Sequence, residues 1–154
     1  MRRLTLDELE RAGELDLGAT EWLRIDQRAI DLFAEAAQDR QWIHVDPEAA
    51  AKGPFGTTIA HGYLTLSLLP ALMYRLLEVT DSRMGINYGI DRIRFTAPVP
   101  SGSEVRLRAR VLGSERRGEG VRYRVSVAVE IRGHDRPALV GEVVYLAVGR
   151  GSAP

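Results

Sequence analysis

The sequence predicts an α+β fold, with helices first and then an antiparallel sheet curled around one buried helix. Three patterns carry this. Across residues 58–79, Ile59, Leu64, Leu68, Leu69, Leu72 and Leu76, with other apolar neighbours, leave almost no polar face. A helix apolar all round is buried in a core or spans a membrane. Here the run over 62–73 is too short to span a bilayer, and Arg75 and Glu78 follow at once. After Asp81 the period changes to two: Val105, Leu107, Ala109 and Val111 alternate with Glu104, Arg106, Arg108 and Arg110, and Val125, Val127, Val129 and Ile131 repeat the pattern. Gly118-Glu119-Gly120 and Gly133-His134-Asp135 supply the hairpin turns between such strands.

The elements follow in order. Thr5 and Glu8 form a capping box for a short helix that Gly13 ends. An extended segment over 21–25 directs Trp22 and Ile25 inward. Asp26 caps an amphipathic helix with Ile30, Phe33, Ala34 and Ala37 on one face, stopping near Asp39. Asp46-Pro47 starts another short helix, ended by Gly53. Pro54 and Gly56 make a turn before the central helix, which Pro70 should kink. Over 86–95 the alternation slips phase, because Ile86, Tyr88 and Ile90 are even but Ile93 and Phe95 odd. A bulge near Asp91-Arg92 accounts for the slip. Residues 138–148 are almost continuously apolar, the pattern of a strand covered on both faces. A sheet wrapped round a central helix is the hot-dog arrangement.

The 154 residues suit one domain, spanning 1–150, with 151–154 expected to be a disordered tail. Lys+Arg and Asp+Glu are both 21, so no global field draws the chain to nucleic acid or a membrane surface. Zero cysteines rules out disulfides, thiol catalysis and Cys-ligated metal. The first residues, MRRLTLDELERAGELD, carry acids where a signal peptide needs an apolar core, which gives the expectation of a cytoplasmic protein.

The chemistry concentrates in QDRQWIHVDP and the AHGYLTL that follows about twenty residues later. Asp39 and His44 lie five positions apart, with Trp42 and Ile43 offering apolar bulk that desolvates acid–base groups. A plain structural account makes Asp39 a helix-end residue and His44 a loop residue. Against it stands His61-Gly62, opening the most apolar helix, where amides and dipole favour negative charge. His61 reads as a packed, hydrogen-bonded residue at a helix start, a third catalytic group or a metal ligand. No zinc spacing such as HExxH is present. Ser67 lacks a GxSxG elbow, and Gly85, Gly89 and Gly113 make no phosphate-binding fingerprint.

These two segments resemble the MaoC-like dehydratase family, the R-specific enoyl-CoA hydratases of the hot-dog superfamily, and within it the nodulation-protein-N-like branch. The family motif runs Gly-Asp-x-Asn-Pro-hydrophobic-His, with a later hydrophobic-x-His-Gly. Asp39, His44, His61 and Gly62 match it, whereas Gln38, Gln41 and Trp42 replace its Gly, Asn and Pro. Arg94-Phe95 and Ala97-Pro98-Val99-Pro100 also resemble a later family segment. The resemblance implies a hot-dog fold, no metal and no cofactor, and an acyl-CoA substrate. It implies that Asp39 and His44 hold a water that adds to a trans-2-enoyl-CoA, giving R-3-hydroxyacyl-CoA or running in reverse. The Gly62 amide would bind the thioester oxygen, with His61 beside it in the oxyanion and substrate-binding set. Arg106, Arg108, Arg110, Arg122 and Arg124 read as a solvated sheet face, whereas Arg92 and Arg94, beside the expected bulge, are the candidates for the CoA phosphates, Arg94 foremost. A hot-dog acyl-CoA thioesterase and a non-catalytic acyl-CoA-binding subunit are the rival readings. Because one curved sheet leaves exposed edges, a homodimer joined through 86–95 is expected.

Overall fold

The computed structural model describes residues 1–149. The tail expected at 151–154 lies outside the described residues. In chain order the elements are β1 (Arg2–Leu4), α1 (Leu6–Arg11), β2 (Leu15–Ala19), β3 (Leu23–Arg24), α2 (Gln27–Ala37), α3 (Trp42–Val45), α4 (Pro47–Ala51), α5 (Gly62–Ser67), α6 (Leu69–Met73), β4 (Leu77–Val79), β5 (Ser82–Phe95), β6 (Glu104–Arg117), β7 (Gly120–Ile131) and β8 (Leu139–Gly149). The main sheet is antiparallel in the order β2-β6-β7-β8-β5, with β3 pairing β6 beyond the end of β2. Its inner face packs on α5 and α6, forming one core with Leu64, Leu69, Leu72 and Met73. This is the hot-dog arrangement.

The two faces of the sheet carry different energies. On β6, Val105, Leu107, Ala109 and Val111 all turn inward and are buried. Each buried Val or Leu contributes about 1.5–3 kcal/mol. The outer face holds the arginines in ion pairs: Arg106 and Arg108 share Glu130 at 2.6 and 3.0 Å, and Arg124 reaches Glu142 at 3.8 Å. Burial works to raise the Glu130 carboxyl, but the Arg106 and Arg108 guanidiniums outweigh it and hold the carboxyl below its ordinary range. Exposed pairs of this kind contribute about 0–1 kcal/mol each, so the inner face holds the sheet together.

The helix expected to run continuously over 58–79 is shorter and divided. It starts at Gly62, breaks around Leu68 into α5 and α6, and ends at Met73. Pro70 lies in the first turn of α6; it has no N–H to continue the ladder and its ring crowds the carbonyl four residues back. Residues 77–79 leave the helix because β1 offers a parallel ladder, with the Arg2 amide donating to Leu76 O at 2.7 Å and Thr80 to Leu4 O at 2.9 Å. Apolar residues at 76, 77 and 79 satisfy either pattern, which is why periodicity alone extends the helix too far. Trp22, expected inward, is instead half-buried between the guanidiniums of Arg106 and Arg132, at 4.5 and 4.9 Å. Ile25 does turn inward. Strand β8 is buried on one face, except at Gly141, and only partly covered on the other, not covered on both as expected.

The bulge is where the phase slip places it. Pairing of β5 with β8 shifts between Asp91 and Arg94, and Arg92 has φ 52°. Gly141 lies opposite, where a Cβ would come within 2.7 Å of Ile93 Cδ1, so only glycine lets the bulged strand approach so closely. Strand β5 is a sheet edge, and Met84, Ile86, Tyr88, Ile90 and Phe95 on it are exposed. Among the described residues no helix is long and apolar enough to cross a membrane.

Helix α2 ends on Gln38 in the left-handed region, at φ 57° and ψ 22°. A side chain there costs about 1–2 kcal/mol, of which glycine's larger unfolded entropy returns about 0.5–1. Gln38→Gly should therefore raise the thermal midpoint by about 1–4 °C, readable by differential scanning fluorimetry. An unchanged or lower midpoint would mean that the Gln38 side chain stabilises the turn in some other way.

Candidate active site

Three backbone segments converge on one cluster. Asp39 follows the left-handed turn at the end of α2 and is exposed. His44 sits on α3, a single helical turn where the sequence reading had a loop, and is only 7% exposed. His61 precedes α5 and is 3% exposed. A carboxylate oxygen of Asp39 and one ring nitrogen from each of His44 and His61 all lie within 4.8 Å of one another. The sequence-derived pair is therefore a spatial pair, with His61 beside it.

Hydrogen bonds define what each ring can do. His44 Nδ1 is 2.7 Å from Ile59 O. A carbonyl only accepts, so Nδ1 carries the proton and the neutral ring keeps a free lone pair on Nε2. His61 Nε2 donates to the main-chain oxygen of Asp39 at 2.9 Å, while its buried Nδ1 has no partner among the described residues. The two rings stack with centroids 3.7 Å apart and planes 25° from parallel, and Phe33 closes on His61 at 5.0 Å. His61 thus pins the Asp39 backbone and supports the His44 ring, as the packed, hydrogen-bonded reading of it expects. Trp42, expected to desolvate the pair, is instead exposed and lies over Gly53. The apolar surround comes from Phe33 and Ile59.

Separations within 4.8 Å are compatible with one shared water. A water bonded to two groups at about 2.8 Å each, at a tetrahedral angle, spans roughly 4.6 Å between them. A metal ion fits less well. Imidazole lone pairs lie in the ring planes, and two stacked rings with centroids 3.7 Å apart and planes only 25° from parallel point their lone pairs nearly side by side, a poor arrangement for one ion at about 2.1 Å from both nitrogens.

His44 opens on a cleft of about 300 Å³ that also takes in Phe55, Ile59, Gly62, Thr65, Phe95, Val99 and Ala138. Gly62 is the first residue of α5, so its amide belongs to the turn whose N–H groups have no intrahelical acceptor. A Cβ at Gly62 would stand 3.0 Å from the Phe95 ring, so any larger residue there must displace that ring by a few tenths of an ångström. Arg94 is not brought into this cluster. It is exposed on the bulged end of β5, its Nη1 donating to Ile93 O at 2.9 Å. Phe55, Phe95 and Thr65 were not singled out from sequence as cleft residues. The phase slip over 86–95 was the available signal for Phe95, and nothing local marks the other two.

Fold and cluster together define a hot-dog protein carrying a carboxylate–imidazole pair at an apolar cleft beside a helix start. The chain belongs to the MaoC-like dehydratase family, whose MaoC like domain matches residues 11–131. It is 50% identical over 134 residues to 3-hydroxyacyl-thioester dehydratase Z of Mycobacterium tuberculosis, covering 86% of this chain and 88% of that protein. To nodulation protein N of Rhizobium leguminosarum bv. viciae it is 46% identical over 151 residues, covering 95% and 92%. Among solved structures it resembles the unliganded R-hydratase PhaJ1 from Pseudomonas aeruginosa, with TM-score 0.71 and 25% identity over 92% of this chain and 96% of that one. The (R)-hydratase from A. caviae involved in PHA biosynthesis gives TM-score 0.65 and 26% identity, covering 83% and 93%.

Proposed function

We propose that this chain is an R-specific enoyl-CoA hydratase, adding water to a trans-2-enoyl-CoA to give R-3-hydroxyacyl-CoA, or running the reverse dehydration. The observation that carries the reading is the Asp39–His44 pair, close enough to share one water, with His44 lining the cleft that also takes in Gly62. Dehydratase and R-hydratase relatives support the reaction class.

The steps balance. Asp39 and His44 hold the water, whose oxygen attacks the β-carbon as the pair accepts its proton. Electron density moves to the thioester oxygen, where the Gly62 amide donates to the developing enolate. A proton returns from the pair to the α-carbon, and the pair ends as it began. No redox step is involved. With crotonyl-CoA, the enoyl-thioester absorbance should fall without release of free thiol. Thiol release from saturated acyl-CoAs with no loss of enoyl absorbance would replace this reading with a thioesterase.

Two further parts belong to the proposal. The exposed apolar edge of β5 supports a homodimer joined edge to edge through 86–95. Light scattering should give twice the 17.1 kDa chain mass, and Ile90→Lys should return it to a single chain. Monomer alone in the wild type at micromolar concentration would refute the pairing. Arg94, with no acidic partner among the described residues, is assigned to the CoA phosphates. Arg94→Ala should raise KM about fivefold at low ionic strength and progressively less as salt screens the contact. A KM unchanged at low salt would return Arg94 to the solvated face. A cytoplasmic location goes with this reading, because a CoA thioester is a soluble metabolite.

A further inference from the structure

We infer that Gln27, backed by Thr58, is a positioning residue that sets the tautomer and seat of His44; the inference rests on reading His44 as half of the water-holding pair. Gln27 opens α2, and its carboxamide joins the segments that carry His44 and the carbonyl His44 bonds to. Its Nε2 donates to His44 O at 2.7 Å and to Asp31 Oδ1 at 2.8 Å. Its Oε1 accepts from the hydroxyl of Thr58, which is 2% exposed. Both amide hydrogens and one acceptor site are thus used. The orientation of the amide follows from its partners, since the His44 carbonyl and the Asp31 carboxylate oxygen can only accept.

The consequence for His44 is that this amide holds its main-chain carbonyl directly and the carbonyl of its ring bond through the adjoining Thr58. The ring proton on Nδ1 is held by Ile59 O, and Ile59 is the residue after Thr58. A backbone bond from the Ile59 amide to Ile43 O, 3.0 Å, completes the loop between the two segments. Gln27 therefore adds a side-chain tie, beside that backbone bond, between the segment of the imidazole and the segment of the carbonyl that selects its tautomer. With the Nδ1 proton held on Ile59 O, Nε2 faces the cleft with its lone pair. If that tie relaxes, the proton is free to move to Nε2, and the ring then presents a donor where the water needs an acceptor. Neither Gln27 nor Thr58 is among the residues lining the cleft, so their effect passes through His44.

The test uses the full chain labelled with ¹⁵N-histidine, long-range ¹H–¹⁵N spectra assigned with His44→Gln, and crotonyl-CoA kinetics. The variants are Gln27→Ala, the near-isosteric Thr58→Val, and Thr58→Ser, which keeps the hydroxyl. Wild type and Thr58→Ser should show His44 with the proton on Nδ1. Gln27→Ala and Thr58→Val should show exchange between the two tautomers, with kcat down about 10–100-fold and KM within about twofold. A wild-type tautomer and kcat in both folded variants would overturn the inference. So would a kcat loss that only tracks the folded fraction and that Thr58→Ser shares. The spectra need no substrate, so the two readings separate. A tautomer shift in a protein that never hydrates crotonyl-CoA leaves the clamp standing and removes the hydratase. An unshifted tautomer in an active hydratase removes the clamp alone.

Discussion

Asp39→Asn and His44→Gln should each remove most of the hydration of crotonyl-CoA, by about 10² to 10⁴-fold in kcat, the range that general acid–base groups contribute. The double variant should lose little more than the worse single one, because residues that act as one unit on one water do not fail independently. The two differ in what they do to the fold. Asp39 is exposed and its side chain accepts only a weak 3.4 Å bond from the Gln41 amide. Asp39→Asn should shift stability by no more than about 0.5 kcal/mol, or under about 2 °C. His44 is buried, bonded to Ile59 O and stacked on His61, which differs from the polar-loop position that its sequence neighbours suggest. His44→Gln should therefore cost about 1–3 kcal/mol, at roughly 2–4 °C for each. Large activity losses with unequal stability losses mark chemistry. Normal turnover in folded Asp39→Asn, measured beside its thermal midpoint, would end the paired-water mechanism whatever the homology.

How much of this was legible depends on which contacts are local. Strands β6 and β7 were readable because alternation is a consequence of the pleat, and each apolar residue chosen from the pattern on β6 is in fact buried. The bulge was readable because one inserted residue flips the phase of everything after it. The caps at Thr5, Asp26 and Asp46 were readable because a cap is a contact within three residues. The end of the central helix was not. Leu76, Leu77 and Val79 fit a helix or a strand, and the choice was made by residues 2–4, more than seventy positions away. Strand β2 was missed for the same reason, its only partner being β6. At the site, Asp39, His44, His61 and Gly62 were singled out by chemistry and motif. Gln27 was not, because an amide at the first turn of an exposed helix looks like any solvated residue until the fold brings Thr58 and the His44 carbonyl to it.

Gly62→Ala should lower kcat for crotonyl-CoA by about 10²-fold or more, comparable with losing one oxyanion donor. The backbone itself is not the obstacle, since Gly62 begins a helix and alanine suits a helix better than glycine. The obstacle is space. An alanine Cβ would stand 3.0–3.1 Å from three carbons of the Phe95 ring, and both residues line the cleft. Either the methyl occupies the approach to the amide, or it pushes Phe95 across the cleft and closes it. A second variant separates these. Gly62→Ala combined with Phe95→Ala leaves the methyl in place but removes the ring it would displace. If the amide is the oxyanion donor and the methyl blocks the close approach to it, the double variant stays as slow as Gly62→Ala, with kcat rather than KM carrying the loss. If activity returns to the level of Phe95→Ala alone, the harm came from the displaced ring. The Gly62 amide would then have no demonstrated part in holding the enolate.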